Sequence, residues 1–161
     1  MRDPDLEAAY ARLGERLYRY AEAILGSGSE AEEIVQDLFV ELAERKTADW
    51  PRDLDGYLLT SARNAALKRL GRGRRRLELL REGAVLLIPR TPEPGLEDLA
   101  AEASDALKAL PVEQREAVAL HLFENLSFRE IGELTGIPAD TAASRYRYGL
   151  AKLKEVLGHA R

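Results

Sequence analysis

Two clusters of cationic side chains carry the most evident chemistry in this 161-residue chain. Residues 63–81 hold 8 basic side chains and 1 acidic, and residues 144–161 hold 5 and 1. The remaining segments are acidic, with 7 basic against 14 acidic over residues 1–62 and 4 against 12 over residues 82–143. The formal net charge of −4 therefore conceals two basic islands in an acidic chain. Basic islands attract polyanions and acidic surfaces repel them, so this layout would orient a nucleic acid along two separate patches. Two solvated helix faces, or a basic linker, would give the same counts.

Other chemistries lack the residues they need. Cysteine is absent, which excludes a disulfide scaffold, a thiolate zinc site and a cysteine nucleophile. His121 and His159 are the two histidines, too few for a His-rich metal centre. No Gly-rich phosphate loop, nucleophile elbow or metal-ligand spacing appears. Helix-surface charge accounts for the scattered Asp and Glu more simply than a carboxylate site does. The reading is a non-enzymatic protein without metal or cofactor. No apolar run approaches the roughly 20 residues of a membrane span. The start, Met1-Arg2-Asp3-Pro4-Asp5, lacks the apolar stretch of a signal peptide, so a soluble cytoplasmic protein is expected.

The elements that must position the basic islands are helical. Asp3-Pro4 reads as an N-cap and first helical residue. Leu6, Tyr10, Leu13, Leu17, Tyr20, Ala21, Ile24 and Leu25 follow at helical spacing, and Gly26 stops the helix. Ser29-Glu30-Ala31-Glu32 reads as a capping box. Its helix buries Ile34, Val35, Leu38, Phe39 and Leu42 and turns Gln36, Asp37, Glu41 and Glu44 outward. Residues 45–53 break the pattern at Trp50-Pro51. A third helix is expected from Leu54 to Leu70, with Leu54, Leu58, Ala62, Ala65 and Ala66 inward and Gly71-Arg72-Gly73 ending it. Pro89, Pro92, Pro94 and Gly95 mark a linker. Further helices are expected at Asp98–Leu110, from Pro111 to Phe123, from a second capping box at Ser127-Phe128-Arg129-Glu130, and from about Ala139 to Leu157. The fold class is all-α: two small helical domains, 1–76 and 99–161, joined by a linker at 77–98.

A short helix capped by Ser127, then Gly136, then a longer helix is the helix-turn-helix plan. The first helix braces the second, the glycine permits the tight turn, and the second helix offers its first residues to the major groove. Asp140, Thr141, Ser144, Arg145 and Arg147 are the exposed positions there, able to bond base edges or phosphates. Any small helical domain contains such turns, so this pattern alone leaves an ordinary structural helix pair open. The second basic island, falling on the last helix, favours DNA.

At these residues the sequence resembles the extracytoplasmic-function sigma factors of bacterial RNA polymerase. Leu110-Pro111-Val112-Glu113-Gln114-Arg115-Glu116, Leu126 to Gly132, Gly136-Ile137-Pro138 and Thr141 to Arg145 are similar to region four. Leu17 to Ala21, Ala31 to Phe39, Tyr57-Leu58-Leu59 and Ala62 to Ala66 are similar to region two. The resemblance implies a transcription initiation factor without catalysis of its own. Its region two would bind the polymerase clamp and capture and melt the minus-ten element, and its region four would read the minus-thirty-five element. Core RNA polymerase and promoter DNA are the implied partners, and the family admits an anti-sigma factor.

Carried over residue by residue, Gln36, Asp37, Val40 and Glu41 become the polymerase-binding candidates. An acidic-polar stripe beside a small apolar patch suits a basic coiled coil. Single-strand capture needs a stacking surface and cations. Trp50 and Tyr57 could stack, unless they are core residues, and Arg52, Arg63, Asn64, Lys68 and Arg69 could hold phosphates or base edges. Arg72 and Arg74 to Arg76 add non-specific attraction. On the last helix Ser144 and Arg147 are candidates for bases, Thr141 and Arg145 for phosphates, and Tyr148 for thymine methyls. The chain departs from the family where Ala143, Tyr148 and Leu150 stand at frequently basic positions, where Gly149 sits mid-helix, and where Ala43 replaces a common Trp. Weaker duplex affinity follows. These departures keep a second class open: a regulator on the sigma scaffold that binds polymerase or an anti-sigma partner without reading a promoter.

Overall fold

The computed structural model describes residues 4–82 and 105–159, with side chains for residues 4–71 and 105–158. Helix α1 (Pro4–Leu25) starts on its proline and buries Ala9, Leu13, Leu17, Tyr20, Ala21 and Ile24. It stops at Gly26, whose φ of +67° suits glycine. Helix α2 (Gly28–Glu44) follows after two residues, Gly26 and Ser27. Its N-cap is Ser27, whose side chain accepts from the Glu30 N–H, and not Ser29 as the sequence pattern suggests. The tight Gly26 turn sets the cap two residues earlier, and Ser29 falls inside the first helical turn. Residues Thr47–Asp49 form a 3-10 turn. Trp50 closes it, and its indole N–H donates to the Leu42 carbonyl at 3.3 Å.

Helix α3 (Leu54–Glu82) runs through both glycines that were expected to end it. Each glycine costs about 1 kcal/mol against alanine, but neither removes a hydrogen bond as proline would. The surrounding Lys, Arg and Leu are good helix formers, so the helix continues. Leu58, Ala62 and Ala66 are buried, and Leu54 and Ala65 half-buried. Of the linker expected at 77–98, residues 77–82 instead continue α3, and 83–98 lie outside the described residues, as does 98–104 of the next expected helix. What is described of that helix, residues 105–108, ends two residues before Leu110.

Helix α4 (Val112–Leu122) starts after Pro111 and buries every residue from Arg115 to Leu120. Nearly continuous burial means neighbours on several sides. It packs on α1 on one side and, on another, on α6 (Ala139–His159). Gly149 makes the second approach possible, since a Cβ there would lie 2.9 Å from Val118 Cγ2 and 3.1 Å from the Gln114 carbonyl oxygen. The mid-helix glycine is thus a packing residue. Helix α5 (Phe128–Thr135) braces α6. His121, Phe128 and Tyr146 join the three helices: the first two rings stack at 4.5 Å, and Tyr146 meets His121 edge-on at 4.5 Å. Leu17, Tyr20 and Ile24 of α1 share one buried cluster with Leu107, Leu110, Val118 and Leu120. The described residues contain helices and no strand.

Candidate nucleic-acid interface

The carboxy-terminal surface is built on the α5–α6 turn. The Glu130 N–H donates to Ser127 Oγ at 3.1 Å, and the Ser127 N–H donates to Glu130 Oε1 at 3.0 Å. That backbone donor and the Ser127 hydroxyl hold the Glu130 carboxyl below its ordinary range. At the other end Gly136 is left-handed, with φ +77°, and its N–H donates to the Gly132 carbonyl at 2.8 Å. The chain then folds back so closely that a Cβ on Gly132 would lie 2.5 Å from the Ile137 carbonyl oxygen. Helix α6 therefore leaves the turn in a fixed direction. Asp140, Arg147 and Tyr148 are exposed on it, and Thr141, Ser144 and Arg145 half-exposed. Arg147 Nη2 donates to Ser144 Oγ at 3.2 Å, so the two base-contact candidates form one polar unit. Tyr148 is 69% exposed.

The amino-terminal candidates separate into different environments. Arg52, Asn64 and Lys68 are exposed beside the α2–α3 loop and along α3. Trp50 is half-buried with its indole N–H committed to α2. Tyr57 is half-buried, and the Arg45 guanidinium lies 5.5 Å from its ring centre. Arg69 donates to Glu33 at 2.8 Å and lies 3.9 Å from Asp37. Arg63 points toward α4. Its Nε donates to Glu116 Oε2 at 2.7 Å and its Nη2 to Oε1 at 3.1 Å. The Arg72 and Arg74 to Arg76 side chains lie outside the described ones.

Between the two surfaces runs a buried polar seam that the sequence pattern did not disclose. Glu116 also accepts from the Tyr20 hydroxyl at 2.7 Å. Burial, then Glu116, raises the Tyr20 hydroxyl well above its ordinary value. Burial lowers Arg63, but the Glu116 hydrogen bond and charge outweigh it and leave it above its ordinary value. Arg16 Nε donates to Glu124 Oε2 at 3.2 Å. Glu124 Oε1 is buried without a hydrogen-bond partner, and burial raises this carboxyl despite Arg16. Arg115 donates to carbonyls of Leu107, Lys108 and Leu110 and, across the seam, to that of Ile24. The available signal was Arg115-Glu116 standing directly before an uninterrupted apolar run, Ala117 to Leu120.

On the far side of α1, a groove of about 450 Å³ runs against α2, lined by Tyr10, Tyr18, Val35 and Gln36 among others. Beyond it Val40 is 60% exposed, with Asp37 and Glu41 exposed around it. Among the described residues, no group of three or more His, Asp or Glu could hold a metal ion, and no helix is long and apolar enough to cross a membrane.

Comparison with known proteins places both halves of the chain in one family. The models for Sigma-70 region 2 and Sigma-70, region 4 match residues 9–76 and 100–153. Over 155 residues the chain is 32% identical to the RNA polymerase sigma factor CarQ of Myxococcus xanthus, covering 94% of this chain and 88% of CarQ. The chain belongs to the extracytoplasmic-function sigma factors. It is also 30% identical over 159 residues to the ECF RNA polymerase sigma factor SigE of Mycolicibacterium smegmatis (strain ATCC 700084 / mc(2)155). That match takes in 96% of this chain but 62% of SigE, so the chain spans less than two thirds of that relative. The fold matches the sigma factor RpoE crystallised with the anti-sigma factor NepR from Bartonella quintana. The TM-score is 0.73 at 23% identity, covering 99% of this chain and 100% of that one.

Proposed function

We propose that this sigma factor binds core RNA polymerase and confers promoter recognition and melting, with the work divided between its two halves. In this reading residues 1–76 and 99–161 act as separate domains. The α5–α6 turn presents Ser144 and Arg147, with Thr141, Arg145 and Tyr148 beside them, to the major groove of the minus-thirty-five element. The α2–α3 loop and α3 receive the melted minus-ten strand through Trp50, Arg52, Arg63, Asn64, Lys68 and Arg69. Gln36, Asp37, Val40 and Glu41, on the open face of α2, meet the polymerase clamp. An exposed valine ringed by acids suits a basic partner helix with an apolar stripe. Catalysis stays with the polymerase, and the chain acts in the cytoplasm. An anti-sigma factor is a further partner, supported by the complex in which its structural relative RpoE was crystallised.

The observation that carries this reading is the Ser144–Arg147 pair, held at 3.2 Å on the first turns of a helix whose entry is fixed at both Gly132 and Gly136. In-vitro transcription with purified core polymerase, followed by start-site mapping, tests it. Promoter-directed transcripts are expected. Ser144→Ala with Arg147→Ala should abolish minus-thirty-five selectivity while polymerase binding persists. Loss of polymerase binding instead would refute the division of labour. The second reading, a sigma-scaffold interaction protein, is favoured by Tyr148, a large aromatic exposed where a base-reading helix commonly carries cations. Polymerase binding with no transcript from any promoter of a genomic library would establish that reading in place of the first.

A further inference from the structure

We propose that Glu116 is an internal stand-in for DNA, occupying Arg63 in the free chain and excluding a promoter strand until α4 withdraws. This rests on the reading of α3 as a single-strand site. The Arg63 fork donates two parallel hydrogen bonds to one carboxylate, at 2.7 and 3.1 Å. A guanidinium makes the same two-point contact with a phosphodiester. Arg63 cannot serve both partners. Its neighbours Asn64 and Lys68 stay exposed, so the seam withholds one group of the α3 surface and leaves the rest in place.

The polarity of the seam agrees. In both ion pairs across the seam the arginine, Arg16 or Arg63, belongs to the amino-terminal half and the acid, Glu124 or Glu116, to the carboxy-terminal half; Arg115 crosses the other way, to the Ile24 backbone carbonyl and not to an acid. At Arg16 and Arg63 the second half thus offers carboxylates where a nucleic acid would offer phosphates. Buried ion pairs hold a geometry more than they stabilise it, because separated charges regain water. Glu124 Oε1, without a partner in the closed seam, gains one when the seam opens. A seam of this composition releases more readily than an apolar one of equal extent.

The absence of cysteine makes the test clean. Exposed Ala43 and Ala151, one in each half, are changed to cysteine in the full chain and labelled as a fluorescence energy-transfer pair. A labelled oligothymidylate of about 12 nucleotides reports single-strand affinity, stacking being sequence-tolerant. Glu116→Gln should lower energy transfer and tighten oligonucleotide binding about tenfold, as expected if the parent is closed about ten to one. Arg63→Met with Glu116→Leu should restore the parent's energy transfer without restoring DNA affinity, since an apolar pair can replace a buried ionic one.

Unchanged energy transfer and unchanged DNA affinity in Glu116→Gln would overturn the proposal. If Arg63→Ala still weakened DNA binding by the parent, the reading of α3 would survive that failure. Lower energy transfer without tighter DNA binding would instead sink the α3 reading, and the gate with it. Circular dichroism checks the fold. Should Glu116→Gln lose helix, Tyr20→Phe removes one bond to Glu116 with the core kept apolar. It should move both readouts the same way, by about threefold, and no movement there overturns the proposal equally.

Discussion

Replacing Arg115 with methionine should cost about 3–5 kcal/mol and uncouple the two halves. The arginine is 6% exposed and donates to four backbone carbonyls, three at the end of the helical segment before α4 and one, Ile24, at the end of α1. Carbonyls at helix C-termini lack intrahelical donors and carry the negative end of the helix dipole. A hydrogen bond to a charged group contributes about 1.5–3 kcal/mol, so simple addition over four bonds would overshoot. Ile24 and Leu110 regain water if the seam loosens, and that brings the figure down to the lower range. For a chain of this size each kcal/mol moves Tm by about 2–4 °C, so Tm should fall by roughly 10 °C. Urea titration should follow both far-UV circular dichroism and the fluorescence of Trp50, the single tryptophan, which reports the amino-terminal half alone. The two signals should coincide in the parent and separate in Arg115→Met. Arg115→Lys keeps the charge but not the fork and should recover less than half the loss. A loss below about 1 kcal/mol with coincident transitions would refute the idea that Arg115 ties the halves together.

Glu124→Gln should raise Tm near neutral pH, because burial raises this carboxyl and the folded state therefore holds its proton more tightly than the unfolded chain. The parent's stability contribution from this group grows as pH falls through the raised value and levels off below the ordinary carboxylate value of about 4.3. A pH series of melting curves should accordingly show the variant's advantage shrinking with acid; an advantage that grew with acid would reverse the sign. Gly71→Ala meets nothing within 4 Å and should stabilise by about 1 kcal/mol, whereas Gly149→Ala collides with α4 and should destabilise by about 1 kcal/mol despite the same gain in helix propensity; paired denaturation curves check the opposite signs. Ser127→Ala should cost about 1 kcal/mol and speed amide exchange in the first turn of α5, and Ser127→Asp should restore most of it.

Much of the candidate site was legible because its signals are local. The Ser127-x-x-Glu130 box, the Gly136 stop and the apolar spacing of α1 and α2 each depend on residues within one or two turns, and each appears in the structure. Gly71 and Gly73 misled for the same reason: a local breaker was weighed without the helix formers beyond it. Gly149 looked like a propensity cost because the atoms that exclude a Cβ there, at Val118 and Gln114, come from a separate helix.

Chain order and side-chain type determined that this is a helical sigma factor with two basic islands in an acidic chain. Periodicity, caps and charge counts are properties of neighbouring residues, and the sequence contains them whole. Only the tertiary structure decided that Arg63 faces a carboxylate 53 positions away, Arg16 one 108 positions away, and that Arg115 serves a carbonyl 91 positions back. Such pairings depend on how α4 settles against α1. No spacing rule sets that approach, because it is fixed by the packing of Tyr20, Ile24, Leu107 and Val118 in three dimensions.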